Sequence, residues 1–331
     1  MRLSTAALCL VALAHDAAGQ APGLTGTLIV TNKTPSTATM IDVASGRTLA
    51  TIATGAGPHE IVLARDASIA VVTDYSGQPG RTLTVIDVPA MRVARTIELA
   101  AHPRPHGIAF LPGDSIVAVT SEQSGHVVLV NVRTGAIRQA IPTRGIGSHM
   151  VGVTADGARA YTGNMRSNTI SELDLRAGAF LRSLPVPTIP EAINVTPDGR
   201  EAWVGSNNTG KVSVVDVATW TVSTAGEGFA WPYRMLFTPD AKTVLIPDMT
   251  NEDLRFIDRA TRREVGKIPF PGAGPQGITT TPDGRYALLS LSRQARVAIV
   301  DIAERKVVGF LQAGETPDGI AFTPRVFGPG R

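Results

Sequence analysis

The chain has 331 residues, of which 43% are hydrophobic and 18% are charged, and its formal net charge is +3. This length and composition fit one large globular domain or two ordinary ones, with enough apolar material for a sizeable core. So small a positive charge, without a long run of Lys or Arg, argues against a protein that binds nucleic acid through charge alone.

The first twenty-one residues differ in character from all that follow. Arg2 precedes an apolar run over residues 3–14, and small residues then continue to Ala21. This order predicts a secretory signal peptide over residues 1–21, because the run is too short to span a membrane as a mature helix. The single cysteine, Cys9, lies inside it, so we expect no disulfide and no cysteine-ligated metal after cleavage. We therefore predict a periplasmic or secreted protein without a membrane span.

The rest of the chain consists of short β-branched runs separated by turns such as Pro282-Asp283-Gly284, and no stretch keeps a helical period. Pro presets φ in such turns, and Gly accepts a positive φ. We predict strands, in chain order, over residues 27–31, 39–43, 48–53, 61–64, 69–73, 83–88, 93–99, 107–111, 116–120, 127–132, 160–163, 170–175, 202–205, 212–217, 244–247, 254–258, 287–290 and 297–302.

A Gly/Pro turn before an apolar run recurs through the chain and indicates the architecture. Alignment of the turns on the residue after Pro, or after Ser148 in one case, puts seven residues at one equivalent position, 42 to 47 residues apart. Four-strand repeats of this length predict an all-β fold, a seven-bladed β-propeller with four-stranded blades. The seven equivalent residues are His59, His106, His149, Glu191, Tyr233, Gln276 and Asp318.

The two ends of the repeat array are expected to meet in one blade. The chain begins on the second strand of a unit, and its last apolar run, residues 319–323, is a first strand. We predict that this C-terminal strand pairs with the N-terminal three strands, which closes the ring without a free edge. The propeller is expected to span residues 22–324, followed by a flexible C-terminal tail over residues 325–331.

Four strings within the predicted strands have a shared character: residues 28–32 (Leu-Ile-Val-Thr-Asn), 84–88, 212–219 and 319–324. They resemble the YVTN-repeat propellers of the YncE-like family, and the resemblance covers residues 24–324. Neither the Gly-His and Trp-Asp pattern of WD40 repeats nor the Gly-Gly pairs of kelch repeats is present. The resemblance implies seven blades, and since many family members have no assigned activity, it implies no reaction.

The seven equivalent residues are expected to lie at one mouth of the central channel, because the first strand of each blade lines that channel. Three neighbouring blades put histidine there, and the next puts Glu191. Converging imidazoles and a carboxylate can hold a divalent transition metal such as Zn, Cu or Fe, so His59, His106, His149 and Glu191 are our candidate metal ligands. The same side chains could instead form a ligand-binding rim or only shape turns.

An aromatic and cationic cluster lies in the fifth full repeat at the same rim. Trp231, Tyr233 and Arg234 could form a platform for a planar ligand such as a sugar or a nucleobase, although Trp231 could equally pack between blades. Together with the four candidate metal ligands, Gln276 and Asp318, these three complete our set of candidate ligand-binding residues.

We interpret the chain first as a binding or interaction module for a small ligand or a periplasmic partner protein, at the loop-rich face of the channel mouth. The alternative from a different class is a metal-dependent lyase or lactonase-like enzyme that uses the histidine rim, by analogy with other propellers. A third interpretation is single-stranded nucleic acid binding, which the resemblance and the Trp231 cluster favour and the modest charge opposes. The sequence designates no catalytic residue.

Overall fold

The computed structural model describes residues 21–77 and 80–328. These residues form 28 strands in seven four-stranded antiparallel sheets, which confirms the predicted all-β, seven-bladed propeller. Over the same ranges there is no helix of the length and apolarity needed to cross a membrane. The predicted signal peptide, except for Ala21, and residues 329–331 of the predicted tail lie outside the described residues.

Six blades follow chain order, and in each the first strand is the innermost; blade 1 takes its innermost strand from the end of the chain. Blade 1 consists of β1 (Thr27–Asn32), β2 (Thr37–Asp42), β3 (Thr48–Ala53) and β28 (Pro317–Thr323). Blades 2 to 4 consist of β4 (Pro58–Leu63), β5 (Ile69–Asp74), β6 (Thr82–Asp87), β7 (Arg92–Glu98), β8 (Pro105–Phe110), β9 (Ile116–Ser121), β10 (His126–Asn131), β11 (Ile137–Pro142), β12 (Ser148–Val153), β13 (Arg159–Asn164), β14 (Thr169–Asp174) and β15 (Ala179–Pro185). Blades 5 to 7 consist of β16 (Pro190–Val195), β17 (Glu201–Ser206), β18 (Lys211–Asp216), β19 (Thr221–Glu227), β20 (Leu236–Phe237), β21 (Thr243–Asp248), β22 (Asp253–Asp258), β23 (Glu264–Pro269), β24 (Pro275–Thr280), β25 (Tyr286–Leu291), β26 (Arg296–Asp301) and β27 (Lys306–Gln312).

The hydrophobic core lies between neighbouring blades. The middle strands are buried on both faces, as in β25, where all six residues are buried, whereas the outermost strands such as β7 are mostly exposed. One interblade cluster brings Ile41 and Val43 of blade 1 against Leu288 and Ile299 of blade 7. Because each blade buries its faces only against its two neighbours, the stability of the ring depends on its closure.

The ring closes as predicted. β28 pairs antiparallel with β1, so that Leu28 lies opposite Phe322 and Ile29 opposite Ala321. The chain then continues across the same blade, where the N–H of Phe327 donates to Thr27 Oγ1 at 3.1 Å. The first and last strands of the chain are therefore neighbours in one sheet.

Removal of the closing strand is expected to destabilise the whole ring. A chain that ends at Asp318 loses Ile320, Ala321 and Phe322, leaves β1 as a free edge and exposes the interblade clusters on both sides. We expect the melting temperature to fall by roughly 10 °C or more, or the cooperative transition to disappear, in thermal unfolding followed by circular dichroism. A chain that ends at Gly328 is the control, and an unchanged melting curve for the shorter chain would refute the role of this strand.

A buried amide at the end of the second strand ties it to the third strand in two blades. Asn164 Nδ2 donates to Thr169 Oγ1 (3.0 Å) and to Ser171 Oγ (2.8 Å), and Asn32 makes the same pair of bonds in blade 1. In blade 2 Asp74 takes this place, and two threonine hydroxyls donate to its Oδ2. Its Oδ1 is buried without a hydrogen-bond partner among the residues that the structure describes. Burial raises the pKa of Asp74 to about 6, against an ordinary value of 3.8.

The substitution Asp74→Asn is expected to stabilise the protein at neutral pH. Because the folded state binds the Asp74 proton more tightly than the unfolded state, its contribution to stability is present at pH 4 and is lost as the pH rises through about 6. The variant has no carboxyl group at this position, so its stability does not fall in this way as the pH rises. At pH 7 we expect its free energy of unfolding to exceed that of the wild-type protein by roughly 1–3 kcal/mol. Urea unfolding between pH 4 and pH 8 measures the difference.

The control for this experiment is Glu304→Gln, which removes an exposed carboxylate from a turn of blade 7. Its stability is expected to follow that of the wild-type protein over the whole pH range. An Asp74→Asn variant that is less stable at pH 7, or whose advantage does not grow between pH 4 and pH 6, would contradict the assignment.

Candidate functional site

The seven equivalent residues come together at one mouth of the channel. Six are the second residues of innermost strands, and Tyr233 follows Pro232, which makes an isolated bridge with Asp248 ahead of the short strand β20. All are buried except His59, whose side chain is 12% exposed. We call this set the axial ring: His59, His106, His149, Glu191, Tyr233, Gln276 and Asp318.

A β-bulge brings two consecutive residues of an innermost strand to the channel. In blade 2 the register shifts between Pro58 and Ile61, so that His59 and Glu60 lie opposite the single residue Thr73. The innermost strands of the other blades shift at the same place, except the interrupted one in blade 6. A bulge bends the strand locally and redirects its side chains. In blade 2 the innermost strand consequently begins at Pro58, about three residues before the start that the sequence predicts.

Hydroxyl groups opposite the bulges connect three pairs of neighbouring blades. Thr31 Oγ1 donates to the backbone oxygen of His59 at 3.0 Å, and Ser290 Oγ donates to that of Asp318 at 2.8 Å. A third bond of this kind joins blades 3 and 4. Each bond runs from one blade to the ring residue of the following blade. The positions of the ring residues are therefore set by backbone contacts.

Three imidazoles lie next to one another along one side of the axial ring. His106 lies between His59 and His149, at centroid distances of 4.1 and 3.5 Å. Neither ring nitrogen of the wholly buried His106 has a hydrogen-bond partner among the described residues. Burial, reinforced by the neighbouring histidines, holds the pKa of His106 and that of His149 well below the ordinary value. At neutral pH both imidazoles are uncharged, and their lone pairs can bind a metal ion or a hydrogen-bond donor.

Asp318 orients the first of these histidines. Its Oδ2 lies 2.6 Å from His59 Nδ1 and 2.9 Å from Lys33 Nζ, and the Tyr233 hydroxyl donates to it at 3.3 Å. Burial alone would raise the pKa of Asp318, but Lys33 and His59 hold it below its ordinary value, so the group is a carboxylate. Burial lowers the pKa of His59 even beside this carboxylate. With Nδ1 engaged, Nε2 is the nitrogen of His59 that is left for a ligand.

Glu191 lies beside the last of the three histidines. Its Oε1 is 3.8 Å from His149 Nε2, and Asn207 Nδ2 donates to its other carboxylate oxygen. Burial raises the pKa of Glu191. At 3.8 Å Glu191 makes no hydrogen bond with His149, in contrast to the close contact between Asp318 and His59 Nδ1.

A second polar cluster borders the histidines and was missed in the sequence. Tyr75 donates to Glu122 Oε2 at 2.5 Å, and Arg104 contacts both groups. The Tyr75 ring packs edge-on against His59 and His106, at centroid distances of 5.3 and 5.0 Å. These three residues lie in loops that follow β5 and β9 or precede β8, outside the equivalent position. Tyr75 and Glu122 nevertheless share one repeat position, because each directly follows the residue that pairs with the proline of an innermost strand, Asp74 or Ser121.

Glu60 and Arg234 form an ion pair across the channel, with side chains 12% and 9% exposed. Each directly follows a ring residue. In three other blades this position is a glycine, because the neighbouring backbone leaves no room there for a Cβ atom: Gly107, Gly277 and Gly319. Among the seven residues at this second position, only Glu60 and Arg234 are charged. That contrast in the aligned repeats is the sequence signal that could have revealed the pair.

The donor atoms of His59, Glu60 and His106 lie within 4.8 Å of one another. Two imidazole nitrogens and one carboxylate oxygen make a three-ligand set that leaves an open position on a metal ion. The grouping differs from the predicted one, because Glu60 takes part in it, while His149 stacks on His106 and Glu191 lies beside His149.

Two of the three residues of the cluster in blade 6, Tyr233 and Arg234, are closed to solvent, whereas Trp231 is partly exposed. Tyr233 is 3% exposed and Arg234 is 7% exposed, and the guanidinium carbon lies 4.1 Å from the centre of the Tyr233 ring. Trp231 Nε1 and Gln276 Oε1 are buried without partners in the part of the chain that the structure describes. A nucleobase has no free aromatic face at Tyr233, so this arrangement argues against stacking of single-stranded nucleic acid here.

Comparison with known proteins agrees with this architecture. Residues 114–228 match the family model of the YNCE-like beta-propeller. No curated protein matches the sequence. Solved structures with a similar fold include hydrazine synthase of Kuenenia stuttgartiensis, with a TM-score of 0.68 and 18% identity, covering 80% of this chain and 88% of that one.

Two further structures cover 90% of this chain. A functionally unknown protein from Desulfotomaculum acetoxidans has a TM-score of 0.74, 16% identity and 99% of its own chain covered. A putative 6-phosphogluconolactonase from Bacteroides fragilis has a TM-score of 0.72, 15% identity and 98% of its own chain covered. At these identities the likeness shows the fold alone. The chain is thus a closed seven-bladed β-propeller with a YncE-like match over residues 114–228, which confirms the resemblance seen in its sequence.

Proposed function

We propose that this chain is an exported binding module that holds a divalent transition metal at the axial ring. His59, Glu60 and His106 are the ligands, and the open position on the metal takes a small polar ligand. The observation that carries this proposal is the state of His106, which is wholly buried, uncharged and without a partner for either ring nitrogen within the described residues. A buried polar group left unpaired costs roughly 1–3 kcal/mol, a cost that a bound ligand would offset.

The surroundings of His59 support the same proposal. A metal-binding histidine usually donates its other ring N–H to a carboxylate, which fixes the ring and makes it a better ligand. Asp318, 2.6 Å from His59 Nδ1, supplies that carboxylate. Imidazole and carboxylate ligands without a thiolate suit Zn, Cu or Fe.

The rim favours anionic oxygen on the small ligand. Lys33 and Arg104 reach the rim from different blades, with side chains 24% and 41% exposed, and each contacts an acidic residue, Asp318 or Glu122. Cations at a partly open rim attract a carboxylate more readily than an amine. An oxyanion bound to the metal would therefore find further donors around it.

Metal content is the direct test. Protein expressed without a histidine tag, incubated with Zn²⁺ and desalted, is expected to retain about one metal ion per chain by elemental analysis. The variant His59→Ala/His106→Ala is expected to retain none while it still unfolds cooperatively. The matched control is His102→Ala/His126→Ala, which removes two histidines that lie 5.1 Å apart outside the axial ring. Equal retention in the two double variants, or no metal in the wild-type protein, would contradict the proposal.

Asp318 is expected to act on the metal through His59. Substitution Asp318→Asn keeps the size of the side chain but removes the charge that orients and polarises the imidazole, so we expect metal affinity to fall about 10- to 100-fold. Competition with a chromophoric chelator measures the affinity. An affinity equal to that of the wild-type protein would contradict this role.

A metal-dependent hydrolase or lyase is the second candidate, and the pair of Asp318 and His59 is the observation that favours it. In this candidate His59 is a general base and not a metal ligand, and the Asp318 carboxylate 2.6 Å from its Nδ1 is the orienting group. The Asp318→Asn variant separates the two functions. If the wild-type protein hydrolyses simple lactones and metal-saturated Asp318→Asn does not, the enzyme is favoured. If the wild-type protein does not hydrolyse them, the binding module remains the proposed function.

A further inference from the structure

Beneath the axial ring the channel contains a cavity of about 310 Å³, which we call the lower chamber. All seven innermost strands line it, with Phe110, Met150 and Ile278 among the apolar side chains. Small-molecule sites in proteins commonly measure roughly 300–1,000 Å³. In the described part of the chain, its only charged lining residues are Glu60 and Arg234. Glu60 also contacts His59 at 3.3 Å, so the ion pair lies between the lower chamber and the axial ring.

Arg234 brings an unused hydrogen-bond donor to this chamber. Its side chain is 9% exposed, its Nη1 donates to the backbone oxygen of Tyr233 at 2.6 Å, and its Nη2 contacts Glu60. Its Nε is buried and has no partner among the described residues. A guanidinium group presents donors in a planar fork that matches a carboxylate. A guanidinium group with one unpaired N–H, beside a chamber that apolar side chains line in part, suits a ligand that joins a carboxylate to a hydrocarbon body.

We propose that the lower chamber binds a small apolar monocarboxylate, with its carboxylate on Arg234 and its hydrocarbon chain among the side chains of the innermost strands. This ligand differs from the polar one at the axial ring, and its site lies on the other side of the ion pair. The inference therefore adds a second site to the proposed function.

Glu60 couples the two sites. In the structure its carboxylate forms an ion pair with the Arg234 guanidinium, and its negative charge repels a second anion at that site. A metal ion bound by His59, Glu60 and His106 would neutralise Glu60 and leave Arg234 to the carboxylate ligand. Metal and carboxylate should then strengthen each other's binding, by about 5- to 150-fold if the coupling is of the usual size. This coupling, unlike the lower chamber itself, rests on the proposed function.

Octanoate is a suitable probe, and isothermal titration calorimetry on the full chain measures its binding. Glu60→Gln frees Arg234 without any metal, so in the presence of a chelator we expect this variant to bind octanoate at least about tenfold more tightly than the wild-type protein. The matched control is Glu60→Gln/Arg234→Gln, which keeps the chamber but removes its cation. It is expected to lose octanoate binding while both variants take up 1-octanol equally.

Equal octanoate affinity in the single and the double variant, or no octanoate binding to Glu60→Gln, would overturn the lower-chamber proposal. If Glu60→Gln does not fold, the comparison of Arg234→Gln with the wild-type protein in the presence of a chelator takes its place, and equal octanoate affinity in these two proteins would then overturn the proposal. Elemental analysis of the same samples reports metal occupancy. Absence of metal refutes the metal site, and the comparison of the two Glu60 variants still decides the lower chamber.

Discussion

The channel mouth depends on the bulge in the innermost strands and on the hydroxyls that three of the bulges receive from the preceding blade. The bulge lets His59 and Glu60 both reach the channel, and the bond from Thr31 to the backbone oxygen of His59 sets the offset between blades 1 and 2. Because these contacts involve the backbone, the side chain at the ring position is free to vary. That freedom explains how one repeat presents histidine, carboxylate, phenol and amide groups at the same height in the channel.

Two layers of different electrostatic character follow from this arrangement. The upper layer holds imidazoles that burial keeps uncharged, next to the carboxylate of Asp318, which Lys33 keeps charged. The lower layer holds the opposite charges of Glu60 and Arg234 above an apolar cavity. Charges buried this deeply are tolerated only in pairs, and an unpaired one would cost several kcal/mol. Any ligand that engages one partner of a pair must therefore change the environment of the other.

Local patterns sufficed for the fold, the closure of the ring and the seven ring positions, because each repeat carries the same turn before the same apolar run. The grouping of the side chains depends on distances across the ring, which a repeat does not encode. Glu60 therefore joins His59 and His106 only in three dimensions, and Arg234, predicted as part of an open platform, is buried against Glu60. Tyr75 and Glu122 occupy one repeat position, directly after the residue that pairs with the proline of an innermost strand, but the repeat does not encode that they contact each other.

The closing strand has a consequence for the order in which the protein can mature. Asp318 lies on the last strand of the chain, whereas Lys33 and His59, which contact it, lie near the beginning. A growing chain lacks this carboxylate until the other strands of the propeller have been made, and a chain that crosses a membrane unfolded lacks the pair until the ring has formed on the far side. The pair of Asp318 and His59 thus comes into existence only with the finished ring, and any ligand that requires it must be acquired in the compartment where folding ends.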